Sequence, residues 1–434
     1  MVPSLALPPI VGHLQIPLIF LLNTLTLALN RSYRFLAVSL GLPVLLLLVS
    51  QSLYREWEKG WGLHYGINCF VMTIVLGWVE WVALQRPDVE AWRKITRGEE
   101  KVGKEGEGKK KGRWERDGVG ERIGAVRGEG AVKSSGSAGL TSAKEIAPEG
   151  FGERLWWAVR LATTNRYVGW SCEAKNVPLE VGPEYPRLKF LARKVPRAAL
   201  FYVLRDVVNS YTAASPHGTW LDIAHLDPVV SFEQEPFLYR FKFTWVYVVL
   251  TYVSLELMAT LYGILSVATG LARPVDCPSM FGDLKECYNV RQAWSVVWHQ
   301  QVRHVCSALG IWLVRDVLKL RRGSFGSKYV QLFVAFGVSA IIHGGASMLC
   351  HASLNDDGAF KSFLLQAVII FFEDHVIALG KRLGRKDSAF WRIVGFCWTV
   401  LAIGWSMQGW TGKTLRHGLW VHDREIDIFG IGPK

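Results

Sequence analysis

Two histidines sit where a histidine is costly. His343 lies in Tyr329–Leu349, a run without a charged side chain, among Phe336, Val338, Ile341 and Ile342. An ionisable group inside a membrane segment is rare, faces a bundle interior or a water-filled cavity, and marks function by default. The competing reading is a core histidine satisfied by Ser339, which lies four residues back on the same helical face. His299, in Trp298-His299-Gln300, falls in the neighbouring apolar segment Ala293–Leu318 and favours function. A neutral imidazole in a low dielectric is available as a base, because burial disfavours the imidazolium. Attack of an alcohol on a thioester needs such a base within hydrogen-bond reach of the hydroxyl. It also needs donors at the developing oxyanion, which His299 or Gln300 would supply. Asn289, Trp294, Trp298 and Ser339 flank these groups as candidate substrate contacts.

Other chemistries fit less well. A metal site is the alternative for His299, His304, His343 and His351, but no HxxxH or HExxH spacing supports one, so no metal is expected. Ser339 has no nucleophile elbow, and Cys350 lacks the electropositive surroundings of a reactive thiol.

The elements that must carry these residues are membrane helices. Half of the 434 residues are hydrophobic and 19 are Trp, and the apolar residues collect in long runs. Such runs exclude a set of soluble domains and predict one polytopic, all-α transmembrane bundle. Spans are expected at Ile10–Leu29, Phe35–Val49, Leu63–Leu84, Leu238–Leu271, Ala293–Leu318, Tyr329–Leu349, Phe360–Leu379 and Trp391–Trp410. The total is roughly 7–9 membrane helices. The first run lacks a basic leader and is followed by further spans, so it reads as a signal anchor. Glu80 near the end of the third span suggests that its last turn emerges from the membrane, and Glu256 is a second buried-charge candidate with a structural pairing equally open. Arg197–Ala213 is an amphipathic surface helix or a short inward-facing span.

Three regions follow: N-terminal helices over 1–85, a loop over 86–150, and a core over 151–434. The loop is Gly-rich, mixed in charge and poor in apolar clusters, which predicts disorder. Its Lys109-Lys110-Lys111 run also admits a lipid-binding patch, with acids interspersed. The formal charge of +13 reports topology, since Lys and Arg collect in cytoplasmic loops. No aromatic-interleaved basic face points to nucleic acid. Placing Arg31/Arg34, 86–150, Lys319–Lys328 and Lys381–Lys386 in the cytoplasm puts the N-terminus and the Cys277 loop in the lumen. In that loop Cys277 and Cys287 are free to pair or not.

The segment from Asn289 through Trp294, Trp298, His299 and Gln300, followed by a basic turn and then Ser339 and His343 in an apolar helix, resembles the fungal wax-synthase-like branch of the membrane-bound O-acyltransferases. Tyr167–Trp170 with Lys175–Pro178, Pro278–Gly282 and Phe372–Asp374 extend the resemblance over most of the chain beyond Trp156. The chain departs from that pattern at Ala293-Trp294, where the branch usually has Phe-Trp, and at Ser295–Val297, where Gly and Arg are common. The resemblance implies an acyl-CoA-dependent O-acyltransferase with His343 as general base. It implies no resident cofactor, acetyl-CoA as co-substrate, and a lipophilic alcohol such as a terpenoid or other secondary metabolite as acceptor. It also implies the endoplasmic-reticulum membrane as location. A long-chain wax or sterol ester synthase is the alternative within the family. A transporter with a histidine proton relay is the alternative outside it, and predicts internal repeats that the two hydrophobic halves do not show. Because CoA is polyanionic, Lys319, Arg321, Arg322 and Lys328 are candidate phosphate contacts, with topology anchoring as the competing role.

Overall fold

The computed structural model describes residues 14–29, 31–54, 60–85, 87, 92–94, 150–223, 231–424 and 428. Its helices are α1 (Gln15–Ala28), α2 (Arg34–Ser50), α3 (Trp61–Val79), α4 (Phe151–Ala162), α5 (Arg187–Ala213) and α6 (Phe237–Ala268). After a broken segment come α7 (Arg303–Trp312), α8 (Phe325–His351), α9 (Ala359–Arg382), α10 (Ala389–Ser406) and α11 (Gln408–Arg416). Two short strands, β1 (Thr219–Trp220) and β2 (Val421–His422), pair in parallel.

Six helical stretches among the described residues are long and apolar enough to cross a membrane, and α1 is a shorter apolar helix. Several carry large apolar side chains on the outside, such as Phe35 on α2, Leu238 on α6 and Val376 on α9. Lipid, unlike water, sets no penalty on that surface. The chain is a multi-pass membrane protein. At one helix contact Gln15 donates to the Leu48 carbonyl at 2.7 Å and to the Ser52 hydroxyl at 2.8 Å, and joins α1 to α2.

α5 follows α6 antiparallel along its length, with Arg197 against Glu256 at 3.3 Å, Phe201 against Tyr252 and Tyr211 against Phe243. Glu256 is therefore a structural partner; it also accepts from the Phe281 backbone at 3.0 Å. Outside the spans, Glu180 binds Lys194 at 2.9 Å, Arg193 at 2.8 Å and the Ser279 backbone at 2.9 Å. Burial opposes the charge on Glu180, but Lys194 and Arg197 outweigh it and hold the carboxyl below the ordinary glutamate range. These contacts fix the loop that carries Phe281.

Three expectations from the sequence are corrected. Ala293–Leu318 is not one crossing helix: Val290–Gln292 and a π-helical turn, Ala293–Val297, run in, the chain breaks at Trp298–Val302, and α7 runs out again. Its start and the first turn of α8, which follows its end after a short basic turn, are tied to one carboxylate, since Arg291 at 2.6 Å and Lys328 at 2.6 Å bind Asp374. It enters and leaves at the same end of the bundle. The Cys277 loop is consequently not on the opposite face from the basic turn; Tyr288 packs under Arg392 beside the 381–388 turn. Cys277 and Cys287 are both free thiols.

Glu80 does not emerge. It is buried in a π-helical turn that extends α3, and it pairs with His304 of α7. The stretch 86–150 lies outside the described residues except at 87, 92–94 and 150. There Trp92 is buried against Tyr167 and His304, and Lys94 bridges to Trp170, so this early part of the stretch is packed.

Candidate active site

His343 stands on α8, which packs against α3, α7 and α9. Gly344 and Gly345 follow it, and a Cβ built on either would lie 2.7 Å from Phe360 or from Met72. At Gly344 the Phe360 ring leaves no room for a side chain, so glycine lets α9 close on α8 at this level, while Gly345 faces the flexible end of Met72 on α3. Phe363 of α9 stacks on the His343 ring at 4.5 Å between centroids with 4° between planes, and Trp410 of α11 meets it edge-on at 5.5 Å. Tyr65 of α3 completes the enclosure. Its hydroxyl is 2.8 Å from His343 Nδ1, and Cys69 Sγ lies 3.7 Å from the same nitrogen. The hydroxyl that meets the ring is therefore Tyr65's, not that of Ser339, although Ser339 lines the same cavity.

His299 reaches that cavity from the break in the re-entrant segment. Its ring packs edge-on against Phe281 at 5.9 Å and tilts against Trp298 at 5.5 Å. Its Nδ1 is buried and has no partner among the described residues. A buried imidazole nitrogen without a partner is costly, and His299 carries that cost at the wall of the cavity.

Gln300, expected to be an oxyanion donor, is occupied. Its amide donates to the carbonyls of Trp294 at 3.0 Å and Trp298, and its oxygen accepts from Arg303 at 2.6 Å. Arg303 also binds the Ser295 carbonyl. Gln300 and Arg303 together satisfy the carbonyls freed where the helix breaks, as non-helical backbone at membrane depth requires. Asn289, expected as a substrate contact, caps the first turn by accepting from the Gln292 backbone at 2.7 Å. Trp294 donates to Gln366 at 3.2 Å and packs against Trp298, Phe336 and Phe363, so it faces both the re-entrant piece and the His343 wall. Glu373, within the Phe372–Asp374 piece of the resemblance, accepts from the Val290 and Arg291 backbones and from Trp398.

The basic turn divides. Arg322 and Lys328 line the cavity that also contains His299 and His343, whereas Lys319 and Arg321 are exposed outside it. Lys319 takes a left-handed backbone at φ 50°, and Arg315 braces the turn by donating to the Leu320 carbonyl at 3.0 Å. The residue that the sequence reading missed is Tyr65. Its signal was a row of Trp61, Tyr65 and Cys69 at helical spacing at the start of the third span.

Comparison with known proteins places this geometry. The model of the membrane bound O-acyl transferase family matches residues 277–365, a stretch that includes both His299 and His343. The acetyltransferase sirH of Leptosphaeria maculans is 43% identical over 425 residues, covering 98% of this chain and 96% of its own. The acetyltransferase ple2 of Rhodocybe pseudopiperita is 33% identical over 263 residues, 61% of this chain and 67% of its own. The acetyltransferase eriL of Hericium erinaceus is 28% identical over 270 residues, 62% and 68% of the two chains. No solved structure matches the chain significantly. With an end-to-end relative of that similarity and a family match over the two histidines, the chain belongs to the membrane bound O-acyl transferase family and is an acyltransferase.

Proposed function

We propose that the protein transfers an acetyl group from acetyl-CoA to a hydroxyl of a lipophilic acceptor, a terpenoid or similar secondary metabolite, in the endoplasmic-reticulum membrane. The observation that carries the reading is the setting of His343: an enclosed imidazole with Nδ1 on Tyr65 at 2.8 Å, sharing a cavity with the unpartnered His299. In this mechanism Nδ1–H donates to the Tyr65 oxygen and leaves Nε2 with its lone pair. Nε2 takes the acceptor's hydroxyl proton as the oxygen attacks the thioester carbonyl carbon. His299 donates to the oxyanion. The tetrahedral intermediate then expels the CoA thiolate, which takes up the proton held by His343, and the ester leaves.

Trp294, Trp298 and Ser339 line the acyl and acceptor space, and Arg322 and Lys328 hold CoA phosphates at the end where the re-entrant piece enters. Gln300 and Asn289 hold the backbone that presents His299. The apolar enclosure of Phe363 and Trp410 suits a lipophilic alcohol, and the acetyltransferase relatives support a short acyl group. The test is incubation of membranes containing the protein with labelled acyl-CoAs of graded length and a panel of lipophilic alcohols. Acetyl-CoA should be the preferred donor. Preference for long acyl chains would replace the reading with a wax or sterol ester synthase, and alcohol-independent behaviour in every combination would reject O-acylation.

A further inference from the structure

At the end of the bundle away from the basic turn, three side chains from three elements converge. His351 closes α8, Asp357 lies in the loop before α9, and His417 follows α11. His351 Nε2 is 2.9 Å from Asp357 Oδ2, and His417 Nε2 is 3.2 Å from Asp357 Oδ1. One ligand atom from each lies within 4.8 Å of the others. We propose that His351, Asp357 and His417 form a binding site for a divalent transition-metal ion of the zinc class.

Charge and shape argue for a cation over a plain hydrogen-bonded cluster. Asp357 is fully buried, and no lysine or arginine among the described residues pairs with it. Its remaining side-chain partner is the neutral amide of Asn355, at 3.2 Å. The two imidazole rings lie with centroids 4.1 Å apart, and one nitrogen of each faces a different oxygen of the same carboxylate, so three ligand atoms from three elements converge on one point. Two imidazoles and one carboxylate form the mixed nitrogen–oxygen donor set that suits zinc, with water in the fourth position, and suit calcium or magnesium poorly.

The backbone is also bent to bring the ligands in. Ala352 at φ 46° and Asp357 at φ 53° are both left-handed, which a non-glycine residue adopts at a cost when other contacts demand it. His417 is one-third exposed and gives an entry path. His351 and Asp357 are six residues apart but His417 lies at the end of a different helix much later in the chain, so no metal-binding spacing marks the three in the sequence. A bound ion would pin the ends of α8 and α11 together. Trp61 stacks on His351 at 6.0 Å and on Tyr65 at 5.0 Å, so the pinned end also backs the residue that touches His343.

The full chain purified in detergent, dialysed with zinc chloride against a weak chelator and excess magnesium, should retain about one zinc per chain by elemental analysis. His417→Ala and Asp357→Asn should each weaken zinc binding at least tenfold. Cobalt chloride in place of zinc should give visible d–d absorption, and His417→Cys should add a thiolate-to-cobalt charge-transfer band. That band reports the ligand directly and decides the matter even if an alanine variant folds poorly. Absence of retained zinc, zinc binding unchanged in folded His417→Ala, or a cobalt spectrum indifferent to His417→Cys would each overturn the site. None of these readouts depends on acyl transfer, so the outcome is separable from the proposed reaction.

Discussion

The 2.8 Å contact between Tyr65 and His343 supports a sharp prediction for Tyr65→Phe. Phenylalanine keeps the ring that stacks on Trp61 at 5.0 Å and packs against Trp410, so the wall of the site should stand. Only the hydroxyl is lost. In the proposed mechanism His343 carries its proton on Nδ1 and donates it to the Tyr65 oxygen, which leaves Nε2 to act as base. Without that oxygen the buried Nδ1–H is stranded, which costs about 1–3 kcal/mol. The ring can escape that cost by moving its proton to Nε2, the tautomer that cannot act as base. Either way the productive state becomes scarcer by a factor of roughly 5 to 150. The loss belongs in kcat, because Tyr65 orients the base and is not needed to hold acyl-CoA. The measurement is kcat and KM for both substrates, on wild-type and Tyr65→Phe membranes matched for protein amount, with an alcohol from the accepted panel. Unchanged kcat with His343→Ala inactive would refute the tautomer argument while leaving His343 as base. A rise in the KM for acyl-CoA at constant kcat would make Tyr65 a binding residue instead.

Further outcomes follow from the same geometry. His343→Ala should lower turnover by about 10²–10⁴ with normal abundance in membranes, and near-normal turnover in a well-expressed variant would remove His343 from the base role. Arg322→Ala should raise the KM for acyl-CoA by about two- to fivefold, the scale of an exposed charge pair, and leave the alcohol's KM alone. Arg321→Ala, outside the cavity, should do neither, so equal effects of the two would contradict the division of the turn. His304→Ala should destabilise the protein by about 3–5 kcal/mol by stranding the buried Glu80 carboxylate, and Glu80→Ala/His304→Ala should recover part of that loss. A thermal-stability series in detergent checks this; fully additive losses would mean the pair is not coupled. Gln300→Ala should lower stability and activity together, whereas a pure loss of kcat in a stable protein would restore it as an oxyanion donor.

Much of the architecture was legible because membrane helices announce themselves by length and composition. α8 and α9 each contain the apolar run expected there and extend a few residues beyond it, and His343 was conspicuous because nothing charged shares its run. Glu80 was misread for a physical reason. A carboxylate near a span's end ordinarily signals water, and only the fold reveals that His304, more than two hundred residues later, arrives to meet it. Tyr65 was illegible as a functional residue for a related reason: tyrosine is common near membrane interfaces, and its role depends on α3 packing antiparallel to α8. The same packing sets Trp61 against His351 at one level and Tyr65 against His343 at another.

The re-entrant segment was the hardest to read, and it matters most for how the site works. Hydropathy cannot tell a helix that crosses from two half-helices that meet, because both bury the same apolar side chains. What distinguishes them is where the freed backbone groups go, and here Gln300 and Arg303 take the carbonyls of Trp294, Ser295 and Trp298. Those two residues were the available signal: a glutamine and an arginine three apart, inside an apolar stretch, with no charged partner nearby in sequence. A continuous helix would have spent the His299 backbone on its own ladder and aimed its ring by helical phase alone. The break sets the ring by loop packing against Phe281 and Trp298, and that packing is held in turn by Glu256 and the Glu180 cluster. His299 and His343 thus reach one cavity from elements of different kind, one a braced loop and the other a rigid helix. On the proposed reading, a braced loop can yield slightly as the thioester arrives from the basic end, while the base on α8 keeps its place.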